Sequence, residues 1–330
     1  MRNSFFSWQN KLKYSPFFQK AFLTLNLSPD FPGLLNIELT NACNLKCVFC
    51  PRLSSNREIG FIKKSLFEKI IKELGVEGPI EVLWLMKDGE SLLHPQIIEL
   101  IKIAAAGKAA KRLELYTNGL LLNQSMSQKL INSGLDVLNI SLDALDERTY
   151  LKLKGVDAYQ QVVLNVKRMA GLKKKMKAGK PFLVVKMLET KEVRGQKGKF
   201  LKTWLGIADG VVIQKPHKWE GSVQVDPGSR VSSDSGSLSR YPCNLPWLSP
   251  AVNWDGKVTS CCVNFQDNEL IMGDLNRQSL KQIFQGEKYR QLRRAHLDQD
   301  LVKWPTCARC RYWQQFPDMS RRLRKISQEK

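Results

Sequence analysis

The sequence contains no apolar run that approaches the roughly 18 residues needed to span a bilayer. Its N-terminal segment, Met1–Gln9, has one Arg and scattered aromatics, and it lacks the apolar segment and small-residue cleavage site of a secretory signal. Low-complexity tracts are also absent, and 43% hydrophobic and 25% charged residues are typical of a folded protein. We therefore expect a cytoplasmic protein without a transmembrane segment.

Acidic residues are scarce relative to basic ones: 31 Asp and Glu stand against 52 Lys and Arg, which gives a formal charge of +21. A positive field of this size attracts anionic partners, so one interpretation is that the charge serves binding. The alternative interpretation is that the lysines lie on solvated helix faces and bind no partner. We expect a small-molecule substrate, anionic if the charge serves binding, or a peptide. No nucleic-acid-binding module accompanies the charge, so nucleic acid is not an expected partner.

The eight cysteines fall into two groups, one of three before residue 51 and one of five after residue 240. A disulfide framework is typical of small secreted domains, and this chain is long and has no secretory signal. Clustered thiols in a reducing compartment more often bind metal. We therefore interpret both groups as metal sites.

Between the two cysteine groups, strand and helix patterns alternate. Predicted strands are 34–39, 80–86, 112–116, 137–142, 182–188 and 210–214, and predicted helices are 64–74, 96–106, 124–132, 159–173 and 197–205. Six such repeats predict an α/β fold with a parallel sheet, a partial (β/α)6 TIM-like barrel, followed by a small C-terminal domain. Expected boundaries are an N-terminal extension (1–33), a core (34–220), a turn-rich linker (221–240) and a C-terminal domain with a basic tail (241–330). That domain should begin with a hairpin over 251–262 and continue with a helix over 279–296.

The first cysteine group, Cys43, Cys47 and Cys50, directly follows the first predicted strand. A four-iron cluster usually takes one thiolate for each iron, so three cysteines on one loop leave the fourth iron open. An open iron can chelate a substrate or cofactor. A structural zinc site would normally have four protein ligands, which this loop does not supply.

This segment resembles the signature of the radical S-adenosylmethionine (SAM) superfamily, CxxxCx(aromatic)C, with Phe49 in the aromatic position. The resemblance implies that the open iron of a [4Fe–4S] cluster binds SAM, which is reductively cleaved to methionine and a 5′-deoxyadenosyl radical that abstracts hydrogen from a substrate. Further segments at the ends of successive strands resemble the family's SAM-binding segments, although Asp88 replaces a glycine and Lys154 stands where relatives often carry arginine. The SAM contacts that the resemblance implies are Phe49, Asp88, Gly89, Glu90, Asn118, Ser141, Asp143 and Lys154.

The second cysteine group resembles the SPASM/twitch extension of the same superfamily, in the short form that holds one auxiliary [4Fe–4S] cluster. The implied ligands are Cys243, Cys261, Cys307 and Cys310. Four thiolates would close such a cluster, which then serves electron transfer or structure. A structural zinc site with four cysteines is the alternative. Cys262 is left over, either as a small buried residue or as a hydrogen-atom donor in catalysis.

The substrate is less well indicated. His217, Trp219, Glu220 and Arg240 follow the last predicted barrel strand and either bind substrate or pack the linker. The chain resembles twitch enzymes, which suggests an oxidoreductase that dehydrogenates or dehydrates a sugar or aminocyclitol. The alternatives are a peptide-modifying enzyme, either an epimerase or a crosslinking maturase, and a non-enzymatic binding module. The resemblance also implies a flavodoxin- or ferredoxin-type reductant.

Overall fold

Six parallel strands form the sheet between residues 34 and 214, and each of the first five is followed by a helix. The computed structural model describes residues 29–215, 240, 242–264 and 270–315. The strands are β1 (Leu34–Ile37), β2 (Val82–Leu85), β3 (Leu113–Thr117), β4 (Val137–Ser141), β5 (Phe182–Leu188) and β6 (Gly210–Gln214). All six predicted strands are present, and the last two have the predicted bounds.

The helices that connect these strands were predicted with one omission. They are α1 (Lys64–Glu77), α2 (Ile97–Ala106), α3 (Gln124–Ile131), α4 (Glu147–Lys154), α5 (Tyr159–Lys175) and α6 (Lys197–Trp204). The omitted helix is α4, which is short and strongly polar. Its sequence carries both end signals, an Asp146 carboxylate that accepts the Thr149 N–H and a C-terminal Gly155 at φ +73°.

The C-terminal strands continue the same sheet. They are β7 (Ala251–Val252), β8 (Lys257–Thr259) and β9 (Ile271–Asp274), and the order across the sheet is β6-β5-β4-β3-β2-β1-β7-β8-β9. Strand β7 pairs in parallel with β1, whereas β8 pairs antiparallel with β7 and with β9. The sheet is open, with β6 and β9 at its edges, so the partial barrel is confirmed. The predicted hairpin is present and is joined to the barrel by backbone hydrogen bonds.

The C-terminal helices differ from the prediction in one place. They are α7 (Leu245–Leu248), α8 (Leu280–Phe284), α9 (Glu287–Asp298) and α10 (Pro305–Arg309). The single helix predicted over 279–296 is two helices, because a capping box at Ser279 starts α8 and Gly286 starts α9 from an extended backbone. Within the described ranges, none of the helices has the length and apolar character needed to cross a membrane.

The two faces of the sheet differ in polarity. Alternate strand residues such as Leu35, Leu83 and Leu115 face the helices and are fully buried in the main apolar core. The intervening residues form a polar inner face, where five polar side chains are each at most 7% exposed: Asn36, Glu38, Glu114, Asn139 and Lys186. A closed barrel normally fills its interior with branched apolar side chains. The buried polar residues on this inner face therefore need a functional explanation.

Candidate functional site

The first cysteine group lies on the loop that leaves β1. The three cysteines of this group are partly buried, and their thiols lie close enough together for the charge of one to affect the pKa of another: Cys43, Cys47 and Cys50. Burial raises the pKa of all three thiols, that of Cys47 to about 11. Iron clusters bind thiolates, so loading a cluster here releases protons. Three neighbouring thiols on one loop fit the three-ligand cluster that the sequence predicts.

The loop after β2 packs directly against this cysteine loop. The Glu90 N–H donates a hydrogen bond to the Ala42 carbonyl at 2.8 Å. A Cβ atom at Gly89 would lie 2.2 Å from the Thr40 carbonyl oxygen and 2.6 Å from that of Ala42. Only glycine therefore allows the two backbones to approach this closely.

The Glu90 carboxylate joins this loop to the end of β3. It accepts hydrogen bonds from the Thr117 hydroxyl at 2.7 Å, the Asn118 N–H at 2.7 Å and the Leu92 N–H at 3.1 Å. The Asn118 amide in turn donates to the Asn44 side chain, between the first two cysteines, at 2.7 Å. Burial raises the pKa of Glu90, and these hydrogen bonds oppose that effect. Glu90 and Asn118 thus fix the cysteine loop in addition to any contact with a ligand.

A third support comes from the end of α4. The N–H groups of Lys46 and Val48 donate to the carbonyls of Lys154 and Leu153, each at 3.0 Å. A Cβ atom at Gly155 would lie 2.7 Å from the Lys46 carbonyl oxygen. The helix that the sequence analysis omitted therefore positions the residues on either side of the second cysteine.

The predicted SAM contacts beyond β4 form a buried ion pair. Lys154 pairs with Asp143, and its ammonium lies 5.3 Å from the centre of the Phe49 ring. Burial opposes a charge on Lys154, but the Asp143 carboxylate holds its pKa above the ordinary value. Asp143 has a left-handed backbone at φ +61° and accepts the Leu188 N–H at 2.6 Å. Ser141 lies at the end of β4.

Asp88, at the position of the family's glycine, belongs to a second ionic network. Its carboxylate accepts hydrogen bonds from Lys87 and from Arg57, each at 2.8 Å. Arg57 also forms a two-pronged ion pair with Glu38, which accepts the Trp254 N–H at 3.1 Å. Burial raises the pKa of Asp88 to about 7, against the attraction of the two cations. Arg57 and Glu38 together thus link the loop after β2 to the C-terminal hairpin.

The polar inner face is organised around Glu114. Its carboxylate accepts hydrogen bonds from Arg112 at 2.7 Å, Asn139 at 3.2 Å and Tyr116 at 3.4 Å. The Lys186 ammonium lies 4.5 Å from the centre of the Tyr116 ring. These groups come from three adjacent strands, and they present both donors and acceptors in a buried setting.

The second cysteine group surrounds one pocket. Cys243, Cys261, Cys307 and Cys310 line about 380 Å³ of atom-free space, part of it open to solvent. Cys262 does not line this pocket, although it packs beside it. Burial raises the pKa of Cys243 to about 12 and that of Cys261 well above its usual range. The four thiols assigned from the sequence thus face a common space.

No group of three or more His, Cys, Asp or Glu side chains in the described ranges is arranged to hold a single metal ion. Thiolates on one zinc ion lie about 4 Å apart, as the Zn–S distance of ~2.3 Å requires. A four-iron cluster separates its ligands more widely because each thiolate binds a different iron. The pocket is lined by four cysteines, the number that a four-iron cluster takes from a protein when every iron is ligated.

The substrate residues predicted after β6 have different outcomes. His217, Trp219 and Glu220 lie outside the described residues. Arg240 is described, and its guanidinium donates to the Ala308 carbonyl at 2.9 Å and to the Cys307 carbonyl. It therefore holds the backbone of the CxxC segment, a role that the sequence analysis did not foresee.

Several site residues were missed from the sequence, and some had left a signal. His296 lies on the buried face of α9 with Tyr289, Leu292 and Arg293, at the i, i+3, i+4, i+7 spacing of an amphipathic helix. The polar inner face follows from period-two alternation in β3 and β4. Arg57 left no such signal, because its partners Glu38 and Asp88 are distant in sequence.

Two family models match the chain. The model described as Radical SAM superfamily matches residues 37–180, and the SPASM model, described as an iron–sulfur cluster-binding domain, matches residues 243–311. The two ranges contain both cysteine groups. A curated relative, GTP 3′,8-cyclase of Chlorobaculum tepidum, is 33% identical over 128 residues, which is 39% of this chain and 38% of that protein. The chain therefore spans about two fifths of the length of that relative.

Solved structures show the same fold at low sequence identity. BtrN in complex with AdoMet and 2-DOIA is 17% identical with a TM-score of 0.59, over 85% of this chain and 93% of that one. Streptococcus suis SuiB bound to precursor peptide SuiA is 17% identical with a TM-score of 0.67, over 86% of this chain and 71% of that one. At this identity the likeness concerns the fold alone.

Proposed function

Because the chain belongs to the radical SAM superfamily and carries a C-terminal iron–sulfur cluster-binding domain, we propose that it dehydrogenates a hydroxylated small molecule such as a sugar or aminocyclitol. Its cofactors are SAM, the [4Fe–4S] cluster of the radical SAM domain and a further iron–sulfur cluster in the C-terminal domain. We assign Cys43, Cys47 and Cys50 to the first cluster and Cys243, Cys261, Cys307 and Cys310 to the second.

When bound, these groups supply an electron for SAM cleavage, a 5′-deoxyadenosyl radical and an acceptor for one substrate electron. The overall balance is that the substrate loses one hydrogen atom to the radical, and then one proton and one electron. A flavodoxin- or ferredoxin-type protein is the proposed source of the first electron. The chain's own residues have to orient the substrate and hold both cysteine groups in place.

The polar inner face of the sheet is the observation that carries the substrate class. A hydroxylated substrate needs donors and acceptors in a buried site, and Glu114, Asn139, Tyr116 and Lys186 supply both from adjacent strands. An apolar or purely cationic interior would not select such a molecule. The net charge of +21 further favours a phosphorylated or nucleotide-linked form.

The four-cysteine pocket supports the redox direction. A cluster closed by four protein thiolates has no open iron to bind a second ligand, which leaves electron transfer or a structural role. Arg240 lies beside three of these thiols, and its charge favours an added electron. An acceptor at this position suits loss of an electron by a substrate radical.

The product mass tests this proposal. The protein is incubated with SAM, dithionite and one candidate substrate at a time: sugars, aminocyclitols, their phosphates, nucleotides including GTP, and short peptides. A compound is identified as a substrate when it raises the rate of 5′-deoxyadenosine release above the rate measured without it. We expect a product lighter by two hydrogens, normal turnover in Cys262→Ala, and loss of product in Cys307→Ala. Cys262→Ala is the matched control, because it removes a thiol that does not line the pocket.

Two other outcomes would overturn the dehydrogenation proposal. A peptide product that has the mass of the substrate in ordinary water and is one mass unit heavier in deuterated water, and that is lost in Cys262→Ala, would identify an epimerase. Stimulation by GTP alone would favour the activity named in the Chlorobaculum tepidum relative.

A further inference from the structure

The pocket of the second cysteine group contains hydrogen-bond donors without acceptors. Among the described residues, Arg240 Nε, Ser260 Oγ and His296 Nε2 are buried polar atoms with no hydrogen-bond partner, and all three residues line this pocket. Leaving a buried donor unpaired costs roughly 1–3 kcal/mol. Three such donors in one pocket indicate that an acceptor belongs between them.

The hydrogen bond that His296 Nδ1 accepts places the ring proton on Nε2, the nitrogen that has no hydrogen-bond partner among the described residues. The Cys243 N–H donates to His296 Nδ1 at 3.4 Å, which assigns Nδ1 as the acceptor and Nε2 as the N–H donor of a neutral ring. The ring is 2% exposed and makes an edge contact with Trp247 at a centroid distance of 6.3 Å. The same side chain thus binds the backbone of one cysteine and presents an N–H to the pocket.

Arg240 is fixed by its two terminal nitrogens. These bind the carbonyls of Cys307 and Ala308, and the guanidinium carbon lies 5.6 Å from the centre of the Trp313 ring. The remaining Nε–H is therefore held at the pocket wall together with a permanent positive charge. Ser260, which directly precedes Cys261 and is 1% exposed, adds a hydroxyl.

We propose that Arg240, Ser260 and His296 are positioning residues that donate hydrogen bonds to the sulfurs of the auxiliary cluster and raise its reduction potential. Hydrogen bonds to sulfur and nearby positive charge both stabilise the reduced cluster, which carries one more negative charge. These three hydrogen-bond donors therefore make the cluster a better acceptor for the electron of a substrate radical. In this respect the inference rests on the proposed function and deepens it.

The test is a redox titration of the auxiliary cluster alone. The full-length Cys43→Ala, Cys47→Ala, Cys50→Ala protein is reconstituted with iron and sulfide, and the reduced cluster is followed by EPR at set potentials. His296→Asn keeps an acceptor near Nδ1 but removes the Nε2 donor, whereas His296→Gln restores a donor near Nε2. Ser260→Ala removes the hydroxyl donor, and Arg240→Gln removes the positive charge while an amide donor stays near the Nε position. Arg294→Gln changes an exposed residue of the same helix as His296 and is the control.

We expect His296→Asn and Arg240→Gln each to raise the oxidised-to-reduced ratio at a fixed potential about tenfold, which is 59 mV for a one-electron couple. We expect a smaller shift of the same sign in Ser260→Ala, partial recovery in His296→Gln and no shift in Arg294→Gln. A structural role alone would lower iron content without moving the potential of the cluster that remains. If His296→Asn does not bind iron, the potential measured for Ser260→Ala tests the proposal.

Ratios within twofold of the parent in His296→Asn and Ser260→Ala would overturn the inference. The measurement is independent of turnover. A different result is that the variants shift the potential of the cluster while the enzyme's product keeps both hydrogens. That result would support the role of the three hydrogen-bond donors and would contradict the dehydrogenation proposal.

Discussion

Gly89→Ala is expected to lower SAM cleavage about 100-fold while the auxiliary cluster stays loaded. The added Cβ would lie 2.2 Å and 2.6 Å from two carbonyl oxygens of the cysteine loop, so one of the two backbones has to move. Displacing reacting groups by about 1 Å can cost on the order of 100-fold in rate. The measurement is the rate of 5′-deoxyadenosine release from SAM under dithionite, together with iron content.

Gly171→Ala is the matched control for this variant. Gly171 lies within α5, and a Cβ there meets nothing within 4 Å. Alanine is favoured over glycine in a helix by about 0.5–1 kcal/mol, so this variant should cleave SAM normally and unfold at the same or a higher temperature. Cleavage by Gly89→Ala at the control's rate would show that the close approach of these two loops is not required.

Cys50→Ala is expected to release no measurable 5′-deoxyadenosine or methionine from SAM. The proposed cluster on this loop has only three protein ligands, and it supplies the electron for cleavage. Cys262→Ala, which removes a cysteine outside both proposed ligand sets, should cleave SAM at the parent rate in the absence of substrate. Unchanged cleavage in Cys50→Ala would contradict the assignment of the triad.

Local sequence signals were enough to predict the parallel strands. Strands β5 and β6 were predicted with the observed bounds, because their apolar runs are flanked by clear breaks. The cysteine spacing and the polar segments at the strand ends likewise pointed to loops that the structure brings into contact. These features depend on residues within about ten positions of each other.

Features that depend on distant pairs were not predicted. The pairing of β7 with β1 joins Ile37 to Val252 across the whole core, and no local pattern specifies it. The roles of Arg57 and Arg240 depend on tertiary contacts for the same reason. Helix α4 was missed for a different reason, because it is short and strongly polar, and only Tyr150, Leu153 and Lys154 of its residues are buried.

The central claim is that this chain holds two separate four-iron clusters, and iron counting tests it most directly. Protein reconstituted under anaerobic conditions should contain about eight irons and eight sulfides per chain. The Cys43→Ala, Cys47→Ala, Cys50→Ala protein and the Cys243→Ala, Cys307→Ala, Cys310→Ala protein should each retain about four. Stoichiometric zinc after purification with iron supplied, or an iron content unchanged in either triple variant, would contradict the claim.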